Sequence, residues 1–292
     1  MPFSISELQS KLRAVVDSAS ESALPLPSEI LKATGTLPSQ LPSIGQGEEA
    51  VEKHLLSDIT PGFNGPKTSA NYYGFVTGGV FPIAAFADNV VTAFDQNVQV
   101  HLPDQSISTT IEDRASSMLA ELLNLGEGWE GRTFTTGATG ANILGLACGR
   151  ESVINSCLEQ TVGEDGVGEL GLLAACQEAE IKQIQVLTTM GHSSLSKAAS
   201  VVGLGRRSVK DVSSNNEEPW KLDLGLLQRE LERSSEGVMS IVSVSAGEVN
   251  TGRFAVDGLE NMKKVRKLCD KYGAWLHVDG GMQTNIVIPG LC

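Results

Sequence analysis

The chain has 292 residues, 41% of them apolar, which is enough to bury a sizeable core as one large domain or two small ones. With 35 acidic against 22 basic side chains, a net charge of −13 and no Lys/Arg block, the composition argues against a surface for nucleic acid or anionic membrane. No N-terminal basic stretch runs into an apolar one and no segment supplies roughly eighteen uninterrupted apolar residues, so a cytoplasmic protein acting on small molecules is expected.

In chain order, Ile5, Leu8, Leu12, Val15 and Val16 recur at helical spacing behind Ser6 and Glu7, which predicts an amphipathic helix over residues 5–19. Leu24 to Pro66 is rich in Pro, Gly and Ser, with one short helical stretch at Gly47 to Leu56, more than a compact domain holds as plain loop. Residues 1–66 are therefore expected to form an N-terminal helical arm that drapes over a neighbour, and residues 67–292 a large domain. Beyond Ser69, helices are expected at Ile107 to Leu123, Ala138 to Leu158, Ser193 to Val202, Leu222 to Arg233 and Val256 to Lys271. Short apolar strands are expected at Ile184 to Thr188, Val238 to Ser245 and Ala274 to Asp279, with a break at Gly163 to Gly171 and a polar turn at Ser213 to Pro219. This alternation predicts an α/β fold with a mainly parallel sheet. The five cysteines (Cys148, Cys157, Cys176, Cys269, Cys292) form no C-x-x-C pair, so neither a disulfide framework nor a zinc site is indicated.

Four segments carry chemistry. Thr135-Thr136-Gly137-Ala138-Thr139-Gly140-Ala141-Asn142 opens a helix with small residues and hydroxyls, the composition of a helix start that binds phosphate. A Thr-capped glycine loop is the plain alternative. A dinucleotide fingerprint matches less well, because Ile143 stands at its third glycine and no apolar strand precedes Thr135. Gly191-His192-Ser193 follows a strand and starts a helix, placing His192 at the ligand edge of an open sheet, where an imidazole can stack on a flat ring and move a proton. A helix-start histidine satisfied by local backbone is the simpler alternative for that residue, and Lys197 reads as a solvated helix residue.

Ser245 to Phe254 is a Gly-bounded loop that converges on the same edge; a plain strand-to-helix connection with a solvated Glu248 is its simpler alternative. Asp279 closes the last strand, where a carboxylate can pair with a protonated pyridine nitrogen or simply cap the next turn. His277 reads as a packed strand residue facing away from the neighbours of Asp279, and His54 and His101 have no metal-ligand spacing.

Taken in order, these segments resemble the group II amino-acid decarboxylases that use pyridoxal phosphate, the family of aromatic-amino-acid and glutamate decarboxylases. The resemblance runs from Asn71 to Asp279. Asn71-Tyr72-Tyr73-Gly74-Phe75-Val76-Thr77-Gly78-Gly79 looks like the family's substrate-side segment, and Ile111-Glu112 leads its helix before the phosphate loop. It implies the large domain of the pyridoxal-phosphate-dependent transferase fold (fold type I), an amino-acid substrate and a homodimer. By the same resemblance Ala138 and Thr139 contact the phosphate of pyridoxal 5'-phosphate, His192 stacks on its ring and transfers protons, and Asp279 holds its pyridine nitrogen. Two positions depart from the family: Val249 stands where a hydroxyl residue is usual and Gly140 where a Glu is usual. After Asp279 the family continues to a His-Lys pair whose lysine anchors the cofactor and then to a C-terminal domain, whereas Gly281 to Cys292 matches none of this. The expectation is a carboxy-lyase family member truncated before that lysine and catalytically impaired. The alternatives are another fold-type-I lyase or aldolase, a non-catalytic paralogue and, least favoured, a nucleotide-binding reductase.

Overall fold

The computed structural model describes residues 5–19, 21–74, 79–158 and 166–281. Parts of three sequence expectations lie outside them: residues 75–78 of the substrate-side segment, residues 163–165 of the predicted break, and residues 282–292 of the segment expected to depart from the resembled family. The chain divides into two compact units, Met1–Thr109 and Thr110–Cys292, a division well beyond the change of sequence pattern at residue 67.

The first unit holds α1 (Ile5–Asp17), α2 (Pro27–Thr36), α3 (Glu48–Lys53) and α4 (Pro82–Ala93), with a π turn at His54–Ile59 and a 3-10 turn at Thr60–Gly62. Lys11 on α1 pairs with Glu52 on α3 at 2.9 Å. Sequence patterning missed α2, inside the Pro-, Gly- and Ser-rich stretch, and gave no reading of α4, although Pro27 and Pro82 open them. Each stands at the first helical position, where a missing N–H costs nothing and the fixed φ suits the helix. α4 keeps none of its residues buried, and Phe81, Ile83, Phe86 and Phe94 are all more than half exposed.

The second unit is the expected α/β layer structure. Its helices are α5 (Ser108–Leu122), whose first two residues fall in the first unit, α6 (Ala138–Leu158), α7 (Val167–Leu170), α8 (Leu172–Glu178), α9 (Ser193–Val201), α10 (Leu224–Glu232) and α11 (Gly258–Tyr272). Its strands are β1 (Gln183–Thr188), β2 (Val209–Asp211), β3 (Val238–Ser245) and β4 (Trp275–Asp279), in the order β2-β1-β3-β4 with every pairing parallel. β2 escaped prediction because three residues are too few to show a period. Asp223 caps α10, its Oδ1 accepting from the Leu226 N–H at 2.7 Å, and Gly273 ends α11 in the left-handed conformation at φ 64°.

β3 is buried along nearly its whole length, as a strand covered on both faces must be. Ile184, Val186, Met239 and Ile241 point into one apolar cluster with Leu146, Ile154, Leu195 and Ala199 from α6 and α9. The alternate residues Leu187, Val242 and Val244 point into a second cluster with Leu227, Leu231, Val265 and Cys269 from α10 and α11. Ser245 lies opposite Asp279 in the β3–β4 register, so both strands deliver their last residues to the same rim.

Candidate functional site

A cavity of about 160 Å³ opens at this carboxyl edge, lined among others by Ala138, His192, Ser194, Glu248, Val249 and Asp279. Three strand ends and the start of α6 therefore converge on one space, as open parallel sheets place ligands. Met190, also on the lining, turns the chain out of β1 with a left-handed φ of 43°, uncommon for a residue with a side chain, and delivers His192 to the rim.

The polar groups form a continuous chain. The Asn142 Nδ2 amide donates to Asp279 Oδ2 at 3.2 Å and to Ser194 Oγ at 3.0 Å. Ser194 Oγ lies 2.7 Å from His192 Nδ1, which also accepts the Ser194 backbone N–H at 3.2 Å. At the other end, His277 Nε2 is 2.9 Å from Asn142 Oδ1. A carboxylate only accepts, so the amide nitrogen of Asn142 must face Asp279 and its oxygen must face His277, whose Nε2 therefore carries a proton. Burial pushes the His277 ring below its ordinary pKa, and the charge of Asp279 offsets this only in part.

One face of α6 is shaped for β4. Asp279 meets Asn142; the His277 ring lies over Gly145; the Trp275 ring lies over Gly149, where an added Cβ would come within 2.7 Å of Cδ1. Trp275, His277 and Asp279 share a strand face at period two, and Asn142, Gly145 and Gly149 share a helix face at spacings of three and four. Small residues on the helix let the strand's inward side chains seat deeply.

The loop after β3 is more than a connection. Glu248 is 4% exposed, and its carboxylate accepts from the backbone N–H groups of Asn250 at 2.7 Å and Thr251 at 2.9 Å, from the Thr251 hydroxyl at 3.0 Å and from the Asn250 side-chain amide. Burial pushes this carboxyl upward, but these bonds more than offset it and the net shift is below the ordinary value. The alternative of a solvated Glu248 is thus set aside: a carboxylate with this many local donors folds the loop around itself.

Of the residues singled out from sequence, Ala138, His192 and Asp279 line the common cavity, whereas Thr139 sits exposed in the first turn of α6. His192 is also the N-cap of α9, so its local backbone satisfaction and its place on the cavity hold together. Lys197 is exposed on α9. The expectation that His277 faces away from the neighbours of Asp279 is corrected, since both bond the same asparagine. Asn142 and Ser194 were missed as site residues; the two-residue spacing of His277 and Asp279 was the signal that could have led to the first. His54 pairs with Asp58 and His101 with Thr109, and among the described residues no group of three His, Cys, Asp or Glu could hold a metal ion.

Comparison with known proteins matches residues 36–284 to the pyridoxal-dependent decarboxylase conserved domain. An L-2,4-diaminobutyrate decarboxylase of Acinetobacter baumannii is 26% identical over 70% of this chain and 39% of its own. Among solved structures, the glutamate decarboxylase domain of the Vibrio parahaemolyticus diaminobutyrate-pyruvate transaminase and L-2,4-diaminobutyrate decarboxylase superposes with a TM-score of 0.74 at 19% identity, over 98% of this chain and 58% of that one. An Oryza sativa TDC solved with PLP gives 0.71 at 21% identity, over 99% and 60%. The chain thus spans less than two thirds of the length of each of these three proteins.

Proposed function

The chain belongs to the pyridoxal-dependent decarboxylase family, and on that premise we propose that it holds pyridoxal 5'-phosphate in the cavity at the carboxyl edge of its sheet, as part of an amino-acid carboxy-lyase. One observation carries this: an aspartate and a histidine from different strand ends face one cavity beside a helix start and are joined by a single hydrogen-bonded chain. The cofactor's chemistry is that of an electron sink, a cationic ring that takes up the electron pair left when a carboxylate departs as carbon dioxide. Asp279 supplies the anion for the ring nitrogen, and His192 supplies a flat face and a proton-carrying imidazole. The backbone N–H groups at Ala138 and Thr139, in the first turn of α6, supply donors and the positive end of the helix for the phosphate. Glu248 holds its loop so that Val249 forms an apolar part of the wall.

No lysine lines this cavity among the described residues. We therefore include in the proposal that these 292 residues hold the cofactor without a covalent bond and turn over poorly by themselves. The exposed apolar side chains of α4 support a homodimer, and an acidic composition without a C-x-x-C pair supports a cytoplasmic setting. Among the described residues no helix is long and apolar enough to cross a membrane.

The test is to add pyridoxal phosphate to the purified chain, dialyse, record the absorbance spectrum, and then reduce with borohydride and map the peptides. Retained cofactor with no labelled lysine is the expected result. A labelled lysine overturns the non-covalent part of the proposal, and no retention overturns the whole.

A further inference from the structure

We propose that Asn142 is a positioning residue that orients the Asp279 carboxylate and couples it to His192 through Ser194, and that His277, as an Nε2–H donor, fixes which way the Asn142 amide faces. The bearing on cofactor binding rests on the function proposed above; the hydrogen-bond directions do not.

An asparagine amide can turn over and exchange its oxygen for its nitrogen. Turned over, Asn142 would present its carbonyl to the Asp279 carboxylate and to Ser194 Oγ and its NH2 group to His277 Nε2, leaving two acceptors face to face at Asp279 in a partly buried site. A neutral imidazole with its proton on Nε2 rules this out, because Asn142 Oδ1 then has a donor 2.9 Å away. Asn142 is itself only 3% exposed, so water does not stand in readily for any of these partners. With Asn142 Nδ2 donating to Ser194 Oγ, the serine hydroxyl proton is free to point only at His192 Nδ1, in the same sense as the Ser194 backbone N–H. The proton of a neutral His192 ring is left on Nε2, the nitrogen not engaged by Ser194.

The position of His277 is equally constrained. A Cβ on Gly145 would lie 2.6 Å from Nδ1, so the ring is seated against α6 and its other nitrogen is the one presented to Asn142. Burial also favours the neutral ring over the charged one, consistent with a group that donates one proton to an amide rather than pairing with the aspartate.

The chain has four histidines, few enough for nitrogen-15 spectroscopy of the histidine-labelled protein to assign each ring's tautomer. Without cofactor at neutral pH, His277 and His192 are expected as Nε2–H tautomers. His277→Gln retains an N–H donor and is expected to leave the His192 signals unchanged and pyridoxal phosphate affinity within roughly threefold of wild type. His277→Leu and Asn142→Leu are expected to shift the His192 signals and to weaken that affinity by roughly tenfold or more. A His277 ring found as Nδ1–H, or equal affinity for pyridoxal phosphate in wild type and His277→Leu, overturns the inference. If the wild type retains no pyridoxal phosphate, the functional proposal fails, while the His277 tautomer still decides the positioning.

Discussion

The imidazole of His277 fills the space that a methyl group on Gly145 would occupy, since a Cβ there would lie 2.5 Å from the ring's Cε1. Gly149 stands in the same relation to Trp275. Alanine at either position would raise helix propensity by about 1 kcal/mol, yet the overlap falls on a ring seated between a helix and a strand, where overpacking costs about 1–3 kcal/mol. Gly145→Ala and Gly149→Ala are expected to lower the urea midpoint. Gly168→Ala, where an added Cβ meets nothing within 4 Å, serves as the control and is expected to be neutral or stabilising. Equal behaviour of all three variants would remove the packing argument.

Acid is expected to destabilise the protein in two separate windows. The folded pKa of His277 is depressed below 6.5, so the unfolded chain takes up a proton there before the folded one does. Stability from this group is complete above its unfolded value and falls as pH drops below it toward the folded value. Glu248 is likewise depressed below 4.5, so its contribution is present above the unfolded carboxylate value and is lost as pH falls through the folded one. Urea midpoints measured from about pH 8 to 3 should show the upper loss missing in His277→Gln and the lower loss missing in Glu248→Gln. An acid profile unchanged in both variants would count against both assignments.

Thr188, the last residue of β1, is 4% exposed, and its hydroxyl has no hydrogen-bond partner among the described residues. An unmet buried hydroxyl is costly, and valine has nearly the same shape without it. Thr188→Val is expected to stabilise the protein by about 1 kcal/mol in denaturant unfolding. A loss of stability would mean that the hydroxyl is satisfied by bound water.

Thiol labelling should separate the cysteines by depth. Cys269 is fully buried in the α10–α11 cluster, and burial pushes its thiol up to about 11, whereas Cys148 is exposed on α6. A disulfide reagent at mildly alkaline pH is expected to modify Cys148 within the native protein and Cys269 only after unfolding. Native-state modification of Cys269 would contradict the packing of α11 on the sheet.

Much of the second unit was legible because its signals are local. The apolar run Val238 to Ser245 marks a strand covered on both faces, and Ala138 to Leu158 has the observed bounds of α6 because small residues open it. Asp279 and His192 could be placed on a ligand edge from the strand-to-helix alternation alone. The network between them could not. Asn142 reads as an ordinary polar residue in a helix's first turn, and its partners lie 52 and 137 positions away. Gly145 and Gly149 look like weak helix formers until the rings that need their space are in view. His277 was the avoidable error, because strand alternation already puts it on the face of Asp279. The two prolines that open α2 and α4 carried a signal that points either way, and only the packed chain distinguishes a breaker from a start.

The hydrogen bond between Asn142 and Asp279 also bears on the order in which the molecule assembles. Its two halves are separated by 137 residues, and β4 takes its place in the sheet by pairing with β3, itself paired with β1. Contacts of such long span form late, since the loss of chain entropy precedes their reward. A fragment ending before β4 would keep Asn142, Ser194 and His192 but lack the carboxylate that completes the site. Completion of the site would therefore come late, making ligand capture a clock for the docking of β4.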